Sequence, residues 1–405
     1  SDSTVNQLSF MYHEFCKALD MKKDVRIVFC DISKAFDKVW HEGLLYKLKK
    51  IGGTGNLLHW FTDYLNDGKQ RVIIKGECSN WGDIRAGVPQ GSVLGPLLFL
   101  VYINDLENVV SCNLKMFADD TCLYVTTDDS ALSANILNDN LTNIKLWADQ
   151  WLVHFNPSKT KSMVISNKKS NHPPLYFDDN LVDEVQQQKH LGLILNNRLT
   201  WNNHISNIVT NVSSILDVMH KLSKDMDRES LETIYKTFIR SKLEYAAIIW
   251  DDCSDQDCKL LENCQLRAAR IVTGAKRGTH HQYIYDELKW PSLKDRREYL
   301  KKCFMHKIIH HTAPDYLVEI LPNTVNADTN YNLRNSEDLQ QFTFRTEKFR
   351  KSLFPDCIRK RNALDSNIQH ESFITTFKSI IDIANKSCPL FCLGTRKFNI
   401  IYAQL

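Results

Sequence analysis

The chain has 405 residues, of which 43% are hydrophobic and 24% charged, and a formal net charge of +3. That length and apolar content suffice for two or three domains with their own cores. The small net charge excludes a global polycation, so any nucleic-acid path must come from local clusters of basic residues.

Val25, Ile27, Val28 and Phe29 read as a buried strand that carries Asp31 at its C-terminal end. Helices are predicted over 39–50 and 57–65, followed by strands near 71–75. Gly87, Val88, Pro89, Gln90, Gly91, Ser92, Val93, Leu94, Gly95 and Pro96 then form a Gly/Pro-rich loop running into an apolar stretch, 97–106, that reads as a buried helix. Glycines allow close backbone approach, and Ser92 can cap that helix, whose N-terminus favours anions. Leu114, Met116 and Phe117, then Thr121, Leu123, Tyr124 and Val125, read as a hairpin with Asp119 and Asp120 at its turn. Over 129–155, Leu132, Ile136, Leu137, Leu141, Ile144, Trp147 and Trp151 recur at helical spacing, and 161–166 reads as a strand. The pattern predicts an α+β fold, a small antiparallel sheet with helices packed on one face in a split βαβ arrangement.

From Trp201 onward helical stripes dominate, with helices predicted near 201–222, 228–250 and 256–272. After Thr312 the chain is harder to read: 323–338 is polar and loop-rich, and 372–383 has an amphipathic helical pattern. There are ten Lys or Arg against four Asp or Glu over 267–302, and seven against two over 342–361, which could line a groove for phosphates. The longest apolar stretch, 93–103, contains Gly95 and Pro96 and falls short of the ~20 residues a spanning helix needs, so no membrane span is expected. Twelve Cys without regular spacing suggest reduced thiols in an intracellular protein, cytoplasmic or nuclear and not secreted. Cys253, Cys258 and Cys264, with His280 and His281 nearby, contain no CxxC pair and are not read as a zinc site, nor are Cys388 and Cys392.

Two carboxylate sites far apart in sequence, Asp31 and the Asp119–Asp120 pair, each at a strand edge, suggest one metal site. Mg²⁺ takes clustered carboxylate oxygens and keeps other positions for water and phosphates, so three convergent Asp suit two-metal phosphoryl transfer. Turn chemistry alone also explains an Asp-Asp pair in a hairpin. Asp37, six residues past Asp31, would face elsewhere and reads as a helix-side cap or salt-bridge partner.

Taken in order, these segments resemble the reverse transcriptase of non-LTR retrotransposons, the jockey-like and related elements of animal genomes. The segment 31–39 resembles the first palm motif, 86–99 with 102–106 the second, and 116–120 the polymerase Asp-Asp motif. Phe155, Asn156, Pro157, Ser158, Lys159, Thr160 and Lys161 resemble the fourth motif, and His190, Leu191 and Gly192 the primer grip. The stretch 2–8 and the stretch 331–336 resemble the family's flanks, so the likeness covers nearly the whole chain.

The resemblance implies a right-hand polymerase palm with partial fingers over 1–195, a helical thumb-like region over 196–312 and a C-terminal extension over 313–405 whose role it does not give. It implies an RNA-directed DNA polymerase of a mobile element, adding deoxynucleotides to a primer 3′-OH, with an RNA template, a DNA primer and deoxynucleoside triphosphates as partners. Asp31, Asp119 and Asp120 would hold two Mg²⁺ ions, or Mn²⁺ in their place. Phe36 would block a ribose 2′-OH, and Gln90 and Gly91 would lie under the incoming base and template. Lys159 or Lys161 would protonate the leaving pyrophosphate, and Leu191 and Gly192 would form the primer grip.

Family members begin well upstream, with basic fingers and often an endonuclease. The chain, which starts at Ser1, is therefore expected to be an N-terminally truncated fragment whose activity is open. Two other readings are kept: a non-catalytic nucleic-acid-binding remnant, and another two-metal phosphoryl-transfer enzyme such as a nuclease.

Overall fold

The computed structural model describes residues 2–66, 68–168, 171–325, 338–364 and 374–385. The stretch 331–336, Cys388, Cys392 and most of the polar segment 323–338 lie outside the described residues. Contacts divide the chain into two units, Met21–Leu199 and a second one made of Ser1–Asp20 with Thr200–Leu405. Helix α1 (Thr4–Asp20) thus groups with the C-terminal half.

The first unit runs β1 (Asp24–Cys30), α2 (His41–Lys50), α3 (Gly55–Leu65), β2 (Lys69–Gln70), β3 (Ile73–Ile74), β4 (Glu77–Cys78), β5 (Gly82–Asp83) and α4 (Gly95–Ile103). A 3-10 segment (Asn104–Val109), β6 (Asn113–Phe117), β7 (Asp120–Thr127), α5 (Ser130–Gln150) and β8 (Lys161–Ile165) follow. It closes with β9 (Tyr176–Phe177), β10 (Asn180–Leu181), β11 (Asp183–Glu184), β12 (Gln187–His190) and β13 (Leu193–Asn196). The main sheet has the order β11-β8-β1-β7-β6. The apolar run of β1 is buried throughout because the strand is central, paired antiparallel with β7 on one side and β8 on the other. The expectation of an antiparallel sheet needs one correction. The chain returns after β10 to lay β11 parallel to β8, so the sheet is mixed.

Side chains alternate across this sheet. Val28 and Cys30 of β1, with Leu123 and Val125 of β7, pack into one core with Leu44, Leu48, Phe61, Phe99, Leu137 and Ile144 of α2 to α5. Ile27 and Phe29, opposite Tyr124 and Cys122, take the other face, where the His190 ring lies 5.2 Å from that of Phe29. Lys47 ties the helices together. Its ammonium donates to the Tyr102 carbonyl at 2.6 Å and to Asp105 Oδ1 at 2.5 Å, and lies 3.7 Å from the centre of the Trp151 ring. Burial, only partly offset by Asp105, lowers its pKa to about 8.

The second unit adds α6 (Asn202–Leu222), α7 (Arg228–Ile234), a π-helical turn (Tyr235–Ile239), α8 (Arg240–Glu244), α9 (Asp255–Thr273), α10 (His281–Leu288) and α11 (Leu293–Ile309). It continues with α12 (Asp315–Val318), α13 (Glu347–Lys351), α14 (Leu353–Asn362) and α15 (Ile374–Asn385). The buried stripe of α6 is Ile205, Ile208, Val212, Leu216 and Met219, as helical spacing predicts. The single helix expected over 228–250 forms as one run that passes through the π-helical turn and ends early, at Glu244. Ala246, Ala247, Ile248, Ile249 and Trp250 are all buried, a continuous run that a helix with one solvent face cannot accommodate. Ala246 turns the chain at φ 52°, and the Trp250 indole donates to the Tyr245 carbonyl at 3.0 Å. Among the described residues, no helix is long and apolar enough to cross a membrane.

Candidate active site

Asp31 follows directly on β1. The register pairs Cys30 with Thr121, so the next cross-strand neighbours are Asp31 and Asp120, on the face that carries Phe29 and Cys122. On its other side the Asp31 carbonyl accepts from the Asn156 N–H at 2.7 Å, and Ile32 bridges Phe155. Phe117 pairs with Asp120, which leaves Ala118 and Asp119 as a two-residue connection. Asp120 is therefore the first residue of β7, not a turn residue, because its pairing with Phe117 overrides its turn preference. Ala118 sits at φ 52°, a conformation that L residues adopt at a cost and that hairpins usually fill with Gly, Asn or Asp.

Asp119 and Asp120 are exposed and Asp31 is half-buried, so the site is open. Although the residue as a whole is exposed, partial desolvation of its carboxyl against the sheet, then the negative charges of Asp119 and Asp31, push Asp120 up to about 6. The charges of Asp119 and Asp31 around Asp120 are what a hard divalent cation would offset. Lys159 Nζ lies 3.8 Å from Asp31 Oδ2. Lys161, the alternative proton donor, donates to the Ser158 carbonyl and to Asp183 Oδ2, each at 2.8 Å.

The Gly/Pro-rich loop is fastened to the segment after Asp31. Gly87 N–H donates to the Val39 carbonyl and Val88 N–H to the Phe36 carbonyl, both at 2.8 Å. Gly87 has φ +94°, and a Cβ there would stand 2.7 Å from the Asp37 carbonyl oxygen, so only glycine fits. Gln90 Nε2 donates to Asp37 Oδ1 at 2.8 Å. Asp37 is thus the partner of Gln90, where the sequence suggested a cap or salt bridge. Ser92 Oγ accepts from Gly95 N–H at 2.9 Å and donates to the Pro89 carbonyl at 2.7 Å. The N-cap of α4, however, is Leu94, without a side-chain cap, so Ser92 ties the loop to the first residue of the helix rather than standing at the capping position. The Phe36 ring packs 4.8 Å from Phe99 and is half-buried against the core. Leu191 and Gly192, at φ 44° and 84°, form the tight turn between β12 and β13.

A second acidic group, Asp251, Glu298 and Asp356, brings carboxylate oxygens within 4.8 Å of one another. Its oxygens are already matched by cations: Arg297 and Lys301 on Asp251, Lys301, Arg359 and Lys360 on Asp356, and Lys360 on Glu298. That arrangement is a half-buried ion-pair network joining α11 and α14 to the turn before α9, not a vacancy for a metal.

Residues 3–195 match the family described as reverse transcriptase (RNA-dependent DNA polymerase). The chain is 29% identical over 300 residues to "Probable RNA-directed DNA polymerase from transposon X-element" of Drosophila melanogaster, covering 72% of this chain and 33% of that protein. It is 28% identical over 341 residues to the RNA-directed DNA polymerase from mobile element jockey of the same fly, covering 80% and 37% respectively. The chain therefore spans about a third of the length of these curated relatives. A solved telomerase from Candida tropicalis, in complex with a fragment of telomeric RNA, aligns at 13% identity with a TM-score of 0.37, over 73% of this chain and 50% of that one. At that level the likeness does not bear on the fold.

Proposed function

We propose, from the premise that residues 3–195 belong to the reverse transcriptase family, of the jockey-like non-LTR kind, that the chain extends a DNA primer on an RNA template as part of a mobile element. The observation that supports this most is the register of β1 and β7, which makes Asp31 and Asp120 cross-strand neighbours beside Asp119. Asp31, Asp119 and Asp120 hold two Mg²⁺ ions, or Mn²⁺ in their place, which when bound supply Lewis-acid activation of the primer hydroxyl and charge neutralisation on the triphosphate. Gln90, oriented by Asp37, and Gly91 support the nascent base pair. Phe36, whose ring packs on Phe99, would exclude a ribose 2′-OH and so select deoxynucleotides. Lys159, paired with Asp31, donates the proton that the departing pyrophosphate takes. The turn at Leu191 and Gly192 holds the primer end. In this reading 1–195 is palm with partial fingers, although its first helix, α1, groups by contacts with the helical unit, 196–312 is a thumb that grips the duplex by backbone contacts, and 313–405 is an extension.

Primer extension on an RNA template with Mg²⁺ and deoxynucleotides tests the reading. Incorporation is expected, falling about a thousandfold in Asp119→Asn, because losing metal stabilisation costs several kcal/mol and each ~1.4 kcal/mol is tenfold in rate. Phe36→Val is expected to admit ribonucleotides while keeping deoxynucleotide incorporation. Salt-sensitive binding without extension would instead identify a non-catalytic remnant, and hydrolysis without incorporation a nuclease.

A further inference from the structure

Cys253 closes the turn after Trp250, its N–H donating to the Trp250 carbonyl at 3.0 Å. Cys258 lies in the first turns of α9, its N–H donating to the Ser254 carbonyl at 2.9 Å. The two sulfurs are 3.5 Å apart, and both residues are half-buried, within reach of small solutes. A disulfide is about 2 Å long, so bond formation requires the sulfurs to approach by about 1.5 Å. Arg297 of α11 directs an N–H to Cys258 Sγ at 3.4 Å, while its Nε pairs with Asp251. A thiol at a helix N-terminus beside an arginine is the setting that favours thiolate.

The surrounding charges agree with that geometry. The hydrogen bond from Cys253 and, after it, the Arg297 guanidinium hold the Cys258 thiol below the usual cysteine range, against desolvation and the carboxylates of Asp251 and Asp255. That same hydrogen bond pushes Cys253 up. By contrast, burial pushes up Cys16, Cys30, Cys112, Cys122, Cys264 and Cys357.

We propose that Cys253 and Cys258 are a reversible thiol–disulfide pair, oxidised by hydrogen peroxide, with Cys258 as the attacking sulfur and Cys253 as the resolving one. The Cys258 thiolate attacks one peroxide oxygen, the O–O bond breaks, and hydroxide leaves as water after taking up a proton. Cys258 is then a sulfenic acid. The Cys253 sulfur attacks that sulfur, the S–O bond breaks, and a second water carries away the Cys253 proton. Two thiols are oxidised and one peroxide is reduced to two waters. An external dithiol reverses the bond by exchange. The disulfide staples the 250–254 turn to the start of α9 and withdraws the Cys258 sulfur from Arg297.

Both sulfurs fall in one tryptic peptide, residues 243–259, so mass spectrometry reads the pair directly. The full chain is reduced, exposed to graded hydrogen peroxide, blocked with N-ethylmaleimide and digested. The expected product is an unlabelled peptide two hydrogens lighter than the dithiol. It should form at peroxide doses at least about tenfold below those that oxidise the exposed Cys78, and be restored by dithiothreitol. Cys253→Ser is expected to leave a dimedone-reactive sulfenic acid on Cys258. A doubly labelled peptide at doses that oxidise Cys78, or Cys258 joined to a second chain, would overturn the proposal. Because the first readout uses the unsubstituted protein, the result does not depend on how the variant folds.

Discussion

Asp120 holds its proton more tightly in the folded chain than a free carboxyl does, because its carboxyl is crowded at the sheet edge and faces Asp119 and Asp31. Between the ordinary carboxyl pKa of 3.8 and about 6, the folded state therefore binds more protons than the unfolded one. Stability contributed at this position falls as pH rises through that window. Asp120→Asn should raise the urea midpoint at about pH 8 and change it little at about pH 4, with a gain smaller than the shift suggests because solvent screens the group. A variant no more stable than the parent at the higher pH would contradict the desolvation and charge crowding of Asp120. Mg²⁺ should stabilise the unsubstituted chain well above pH 6 and fail to do so well below it, since protons and cation compete for the same oxygens. The identities of these acids were readable in the sequence from strand ends and a hairpin. The pairing of Asp37 with Gln90 was not, because it joins side chains 53 positions apart through loop geometry that local pattern does not encode.

At the scale of elements, one buried cation and one glycine hold motifs together. Lys47 looks in sequence like any basic residue in the last turn of a helix, yet its side chain is 5% exposed and joins α2 to α4, α5 and the 3-10 segment. Lys47→Met leaves the 31% exposed Asp105 without its ion pair, and should cost about 2 kcal/mol in urea denaturation, below the range for a fully buried pair. Gly87→Ala should cost about 2 to 3 kcal/mol, combining a left-handed backbone with a clash against main chain that cannot swing away. An unchanged midpoint in the alanine variant would show that the loop shifts freely against the segment after Asp31. Helical stripes such as that of α6 were legible because 3.6-residue spacing is local. The early end of the 228–250 helix and the parallel edge strand β11 were not, since burial on all sides and sheet edges depend on what packs alongside.

For the molecule as a whole, among the described residues, six of the seven basic residues of 342–361 are ion-paired, but only four of the ten in 267–302 are. Arg296 pairs with Glu244, Arg267 with Asp217 and Lys348 with Asp252, while Arg297, Lys301, Arg359 and Lys360 join the Asp251, Glu298 and Asp356 network. The buried pairs, Arg296 with Glu244 and Arg297 and Lys301 with Asp251, pack the helical unit. Lys301→Met should raise amide exchange in α9, α11 and α14 and leave β1, β7 and β8 unchanged, because the two units have separate cores. Exchange rising in the sheet as well would argue for one cooperative body. Arg296→Met should destabilise the helical unit without altering the salt slope of the proposed RNA binding, which counts only phosphate-facing charges.

Local pattern was enough to fix the order of the acidic strand end, the Gly/Pro loop and the Asp-Asp hairpin, and to separate a strand-rich half from a helical one. These depend on side-chain periodicity and turn chemistry within about twenty residues. Long-range pairing decided the rest. The register of β1 on β7 sets Asp31 across from Asp120, and contacts assign α1 to the helical unit rather than to the strands that follow it. It also matched most of the named basic residues with acids. Each of these outcomes is a choice among partners distant in the chain, made by burial and hydrogen bonding that exist only once the elements have met.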